Sequence, residues 1–241
     1  GESMQENYRN YGRTFEEEYA SISGMNAFIS KVFGWMFIGL LLTAGVAYYV
    51  STNLKLVLAL VTNNFLFFGL LIGELILVAT LSARITKLRY GTALGMFLGY
   101  AALNGVTLSI IFLVYTGSSI VSAFGITAIT FGIMCIYGYF TKADLTQFRA
   151  MLTMGLIGII VLSLVNIFLR SSGMDWFISI LSLVIFLGLT AYDMQKLKAY
   201  YFGTEGNMAL RGNLGIIGAL GLYLDFVNLF LTILRLFGRR K

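Results

Sequence analysis

The sequence predicts an all-α integral membrane protein, a seven-transmembrane-helix bundle with a central C-terminal helix. Three observations predict it. Of 241 residues, 58% are hydrophobic and 12% charged, whereas a soluble domain carries about 25% charged residues. Apolar runs recur along the whole chain, each near the ~20 residues that cross about 30 Å of hydrocarbon as a helix. The 17 Lys and Arg fall between those runs and form no continuous basic stripe, so the net charge of +6 reads as helix-end charge and not as a nucleic-acid surface.

Taken in order, residues 1–24 form a polar N-terminal segment expected on the cytoplasmic side, with residues 1–3 before Met4 reading as an expression remnant. This segment is polar and acidic and offers no cleavable signal, so the first span is expected to act as the insertion signal. Residues 25–241 form one membrane domain without a linker. Its spans are expected at 33–49, 65–83, 91–115, 119–140, 151–169, 176–197 and 214–237. The connections 116–118 and 170–175 are short enough to be tight turns. Arg84, Lys87 and Arg89 follow span two, Lys142 and Arg149 follow span four, and Lys196, Lys198 and Arg211 close span six. The opposite side has only Lys55 and Arg170 in its loops, which places the N-terminus in the cytoplasm. Seven crossings then put Arg235, Arg239, Arg240 and Lys241 outside, against the rule. Either the other loops overrule those charges or one apolar segment is re-entrant.

Small residues mark where helices can approach in lipid. Gly91, Gly95 and Gly99 recur at every fourth position, and Gly212, Gly215, Gly218 and Gly221 at every third. Both stripes are expected to be packing faces, the second making the last span a central helix. His is absent and Cys135 is the single cysteine. That excludes a disulfide framework, a His or Cys-cluster metal site and an imidazole base. No cofactor is expected.

A charged group deep in a bilayer costs about 2.5 kcal/mol or more, so one that persists faces the protein interior or a water-filled cavity. Glu74 is flanked over nine residues on each side by apolar or small residues, which sets it near mid-membrane. Its plain alternative is a protonated acid bonded to another helix. Asp193 lies late in span six with Lys196 three residues on, where an ordinary surface ion pair is the alternative. Asp225 lies inside span seven with no cation within a turn; Asn228 is its polar neighbour. Spans six and seven are antiparallel neighbours, and position 209, in the polar connection 201–213, is sixteen residues from each aspartate. The two carboxylates are therefore expected at one depth. There they can share a proton, as a pH-dependent latch, or jointly bind Ca²⁺, which favours carboxylate oxygens. Arg84, at the end of span two, is the best-placed cation for their ionised form; a positive-inside anchor is its other reading.

The string Ala191-Tyr-Asp-Met-Gln195, followed by Leu222-Tyr-Leu-Asp-Phe-Val-Asn-Leu-Phe230 and Leu234-Arg-Leu-Phe-Gly238, resembles the C-terminal signature of the Bax inhibitor-one, or transmembrane Bax inhibitor motif, family. Asn104-Gly-Val-Thr-Leu-Ser109 in span three is similar to another family segment. The resemblance implies a last helix wrapped by the other six. It also implies a pH-sensitive calcium leak controlled by a di-aspartyl pair at Asp193 and Asp225, with Arg84, or alternatively Arg89, bonded to it. Glu74 matches a span-two acid of bacterial members, and Asn104 and Asn228 join it as polar groups of the expected ion pathway. The implied setting is a bacterial inner membrane. The implied partners are membrane lipid, Ca²⁺ and H⁺, with no nucleic acid and no Bcl-type protein. Two other classes compete: a non-conducting membrane scaffold, and an intramembrane aspartyl protease. Protease signatures resemble Tyr-Asp with Gly-x-Gly-Asp and a later Pro-Ala-Leu, whereas Leu-Tyr-Leu precedes Asp225 here and proline is absent. No enzymatic activity is expected. Retinal photochemistry is excluded because no Lys lies within span seven.

Overall fold

A computed structural model describes residues 2–241, the side chains of residues 2, 8, 11 and 15 aside. The helices are α1 (Glu2–Thr52), α2 (Leu54–Thr62), α3 (Asn64–Arg84), α4 (Tyr90–Leu108), α5 (Ile111–Val114), α6 (Gly117–Phe140), α7 (Arg149–Leu169), α8 (Ser172–Gly203) and α9 (Met208–Phe237), with a 3₁₀ turn at Leu145–Phe148. Among the described residues seven stretches are long and apolar enough to cross a membrane. They are the seven expected spans, with α4 and α5 together forming the third and the 3₁₀ turn joining α7 in the fifth.

The ends differ from expectation for local reasons. No Gly-Pro or Asn-Gly break separates residues 2–24 from span one, and α1 runs through both as one helix. Helix α2 sits between spans one and two; at nine residues it rises only about 13 Å, too short to cross. Asn53 and Asn63 cap α2 and α3 by accepting from Leu56 N–H and Leu66 N–H, each cap contributing about 1 kcal/mol. The connection expected over 201–213 shrinks to residues 204–207. Gly206 turns the chain there at φ 79°, open to glycine because it has no Cβ, and Asn207 caps α9 through Leu210 N–H.

Helix α9 lies in the middle, with α8, α1, α6 and α4 packed around it, while α3 packs on α4 and α7 on α8. Ala219, Leu222, Tyr223 and Leu229 of α9 are fully buried. Phe97 and Tyr100 of α4 meet the Tyr223 ring edge-on at centroid distances of 5.8 and 5.9 Å. On the other side Phe131 of α6 packs on Phe226 at 5.3 Å. Such aromatic pairs favour this T-shaped geometry.

The two glycine stripes part company. Gly212, Gly215, Gly218 and Gly221 face Tyr90, Phe28, Leu197 and Asp193 at close range, as a central helix requires. Gly91, Gly95 and Gly99 have nothing within 4 Å of where a Cβ would stand, so this stripe does not pack inside the molecule. The close backbone approaches are elsewhere: Gly105 lies against the Thr43 carbonyl of α1, and Gly138 against the Ala191 carbonyl of α8.

The C-terminal residues return to the turn before α6. Arg240 forms an antiparallel bridge with Tyr115, Thr116 N–H donates to the Arg239 carbonyl at 3.0 Å, and Lys241 N–H donates to the Val114 carbonyl at 2.8 Å. The chain thus finishes on the face where α5 turns into α6, opposite the Lys- and Arg-rich turns. The main chain of Arg239, Arg240 and Lys241 is tied down at that face.

Candidate functional site

Two polar clusters interrupt the apolar packing of α9. The first forms where α9 crosses α8. Asp225 is 4% exposed, and its carboxyl lies within hydrogen-bonding reach of the half-buried Asp193 carboxyl. The antiparallel pairing of the two helices explains the match in depth: Arg211 stacks on Tyr201, Gly218 meets Leu197, and Gly221 meets Asp193. With no side chain at Gly221, Asp193 Oδ2 lies 3.6 Å from where its Cβ would stand. Among the described residues Asp225 Oδ2 has no hydrogen-bond partner. A buried oxygen without a partner is uncommon, since leaving one unsatisfied costs about 1–3 kcal/mol.

The charged and titratable groups acting on this pair come from α8 and α6. Lys196, one turn beyond Asp193, is the cation in its field, and its Nζ lies over the Tyr192 and Tyr200 rings at 5.8 and 5.4 Å. Cys135 of α6 is buried on the same side and feels both aspartates. Helix α3 contributes Val78 and Ser82, which with Lys196, Tyr200 and Leu224 wall a cavity of about 130 Å³ beside Asp193. Arg84 and Arg89 do not reach the pair. Both are exposed, and neither guanidinium makes a hydrogen bond or ion pair among the described residues. The nearby Gln195 serves the fold instead. Its amide donates to the Ala143 carbonyl at 2.8 Å and its oxygen accepts from Leu145 N–H at 2.9 Å. That fixes the connection between α6 and α7 to α8.

The second cluster is a chain of hydrogen bonds joining four helices. Thr107 of α4 donates to Glu74 Oε1 of α3 at 3.0 Å, and Glu74 is 6% exposed. Asn104 Nδ2 donates to the Tyr223 hydroxyl of α9 at 2.9 Å, and Tyr223 shares a 2.5 Å bond with Thr43 of α1. Thr43 also reaches the Ala101 carbonyl at 2.8 Å. Thr107 has one proton and competing acceptors, because the Asn104 carbonyl lies 3.0 Å away as well. A protonated Glu74 can donate to Thr107 and release that proton to Asn104; an ionised Glu74 must take it.

Glu74 and Asn104 are thus brought together through Thr107. Asn228 is not: its amide donates to the Leu224 carbonyl of its own helix at 2.8 Å. Tyr223, Thr43 and Thr107 complete the clusters without having been singled out from sequence, whereas Lys196 had been named only as a surface partner for Asp193 and Cys135 only as the single cysteine. Tyr223 stands in the conspicuous string around Asp225, and Thr107 one turn from Asn104, so position near a marked acid or amide was the available signal.

The family described as Inhibitor of apoptosis-promoting Bax1 matches residues 25–241. The chain is 48% identical over 221 residues to Inner membrane protein YbhL of Escherichia coli strain K12, covering 91% of this chain and 94% of that one. It is 45% identical over 225 residues to an uncharacterized protein of Borreliella burgdorferi, covering 93% and 97%. With the uncharacterized protein RP147 of Rickettsia prowazekii it shares 38% identity over 235 residues, covering 95% and 94%.

Proposed function

The chain belongs to the Bax inhibitor-1 family of membrane proteins, and from that premise we propose that it is a pH-sensitive calcium leak pathway of a bacterial inner membrane, gated where Asp193 meets Asp225. The membrane assignment follows the E. coli relative, an inner membrane protein by name, together with seven crossing helices. One juxtaposition carries the reading: two carboxyls from adjacent helices face each other inside the bundle, one of them buried with an unpartnered oxygen.

A single proton between two carboxyls ties α8 to α9. Losing it sets two negative charges face to face in a medium where repulsion is far stronger than in water. The helices then part or a cation enters. Lys196 supplies part of the compensation from α8, and Cys135, Tyr192 and Tyr200 are the other titratable groups around the pair. Ca²⁺ prefers six to eight oxygen ligands. Two carboxylates with the Ser82 and Tyr200 hydroxyls at the cavity wall leave the ion partly hydrated, a set suited to passing calcium and poor at storing it. In this reading Glu74 and Asn104 form a second polar station along α9, and Asn228 a third.

The test is calcium efflux from liposomes containing the purified protein, followed from acid to alkaline pH. Asp225→Asn and Asp193→Asn keep the volume and hydrogen-bonding capacity but cannot titrate. Each is expected to flatten the pH profile of the parent. Efflux from both variants that tracks the parent at every pH sinks the proposal, and so does a parent that passes no calcium.

A further inference from the structure

A second recess, of about 360 Å³, lies away from the aspartates, where α1, the end of α8 and the start of α9 meet the Tyr90 end of α4. Its chemistry is two-sided. Phe28, Val32 and Trp35 of α1 form an apolar wall, and Gly212 and Gly215 of α9 line the recess where they pack on Tyr90 and Phe28. At its mouth stand two cations. Lys31 Nζ lies 5.6 Å from the Tyr90 ring centroid, and the Arg211 guanidinium lies 4.1 Å from that of Tyr201. Arg211 is also held by donating to Thr204 Oγ1 at 3.0 Å and to the Tyr201 carbonyl at 3.1 Å. Neither cation makes an ion pair with a carboxylate among the described residues. The recess is at the membrane end that carries the Lys- and Arg-rich turns, the cytoplasmic end by the positive-inside rule, and Trp35 and Tyr90 are the aromatic types that favour that interface.

We propose that this recess binds one anionic phospholipid of the cytoplasmic leaflet, its phosphate between Lys31 and Arg211 and an acyl chain along Phe28, Val32 and Trp35. Charge complementarity selects the occupant: two uncompensated cations call for an anion, and the apolar wall below them calls for a hydrocarbon tail on the same molecule. Arg211 Nε and Nη2 are engaged by Thr204 and Tyr201, and Nη1 donates to Met208 Sδ at 3.6 Å, so a phosphate takes the remaining hydrogens of Nη1 and Nη2 in a charge-assisted contact. A free anion would leave the apolar wall wet, and a zwitterionic lipid, whose ammonium already accompanies its phosphate, would answer the two charges only in part.

The test is native mass spectrometry of the delipidated full chain with phosphatidylglycerol, with phosphatidylethanolamine of the same acyl chains, and with inorganic phosphate. The parent is expected to retain one phosphatidylglycerol in preference to phosphatidylethanolamine. A basic residue near an anionic lipid surface is worth about fivefold in affinity, so Lys31→Gln should weaken phosphatidylglycerol retention by about that factor. Lys31 is exposed, so this change leaves the fold intact. Ala27→Trp fills the recess from its rim and should abolish retention of the lipid while leaving the thermal melt of the lipid-free protein unchanged. Arg211 stays untouched because it also ties down the end of α8. Equal retention of the two lipids, unaltered retention in Lys31→Gln, or displacement of the lipid by inorganic phosphate overturns the proposal. Because the readout is binding and not calcium flux, it stands or falls separately from the gate.

Discussion

Tyr223 holds the second polar cluster together, because its ring is fully buried between Phe97 and Tyr100 while its hydroxyl serves Asn104 and Thr43. Tyr223→Phe keeps the ring and strands the Asn104 amide; a buried donor left unpaired costs about 1–3 kcal/mol. A thermal melt in detergent should show a clear drop for this variant, and an unchanged midpoint would mean that the hydroxyl contributes nothing. Outside the membrane, Asp144 accepts from the Thr146 hydroxyl and N–H at 2.6 and 3.0 Å, and these bonds hold its carboxyl below the usual carboxylate range. The sign follows from linkage: a depressed carboxyl stabilises the fold above its unfolded pKa and loses that contribution as pH falls through its folded one. Carbon-13 NMR of the Asp144 carboxyl should find a low midpoint in the parent that returns toward the ordinary range in Thr146→Val. These residue-scale features were partly legible in the sequence. Acids deep in apolar runs announce themselves by their transfer cost, whereas hydroxyls such as Thr43 and Thr107 carry little cost and are invisible until a partner helix is known.

Among the elements, the closest approach of a glycine to another helix's main chain is between α6 and α8, where Gly138 leaves room for the Ala191 carbonyl. A main chain cannot rotate away as a side-chain tip can, so Gly138→Leu should cost about 1–3 kcal/mol or prevent assembly. Gly95→Ala, placed where nothing lies within 4 Å, should leave the melt unchanged or raise it, since alanine favours the helix by about 1 kcal/mol. A pair of melts that ranks the two substitutions the other way would contradict this packing. The contrast also shows what periodicity carries. Gly91, Gly95 and Gly99 were readable as one face of a helix, but spacing says nothing of what covers that face. The common depth of Asp193 and Asp225 was readable because antiparallel neighbours joined by a short turn fix depth by counting. The choice between Arg84 and Lys196 as the nearby cation stayed open, because both lie toward the same side and only the rotation of α3 and α8 about their axes decides between them.

At the scale of the whole molecule, the seven spans were legible from hydropathy, since each must satisfy its backbone internally to cross lipid. The continuity of α1 was not, because its first two dozen residues are polar and leave no apolar run to find, and α2 was not, because its apolar run of nine residues is too short to count as a span. Seven crossings with a cytoplasmic N-terminus place Lys241 outside, where its main chain pairs with Val114. A Lys241→Cys variant, with the native Cys135 buried, should react with a membrane-impermeant maleimide added to intact spheroplasts. Labelling only after the membrane is permeabilised would invert the orientation. Helix α9 is both the most enclosed of the spans and the one that follows the other six. During synthesis the helices destined to surround it therefore reach the bilayer before the surface they are to bury against exists. Until α9 arrives, Phe97, Tyr100 and Phe131 face lipid or one another, and Asn104 and Thr43 lack the Tyr223 hydroxyl. Assembly of the bundle is thereby deferred until α9 inserts, and a fragment ending after α8 would lack the helix that the others pack around.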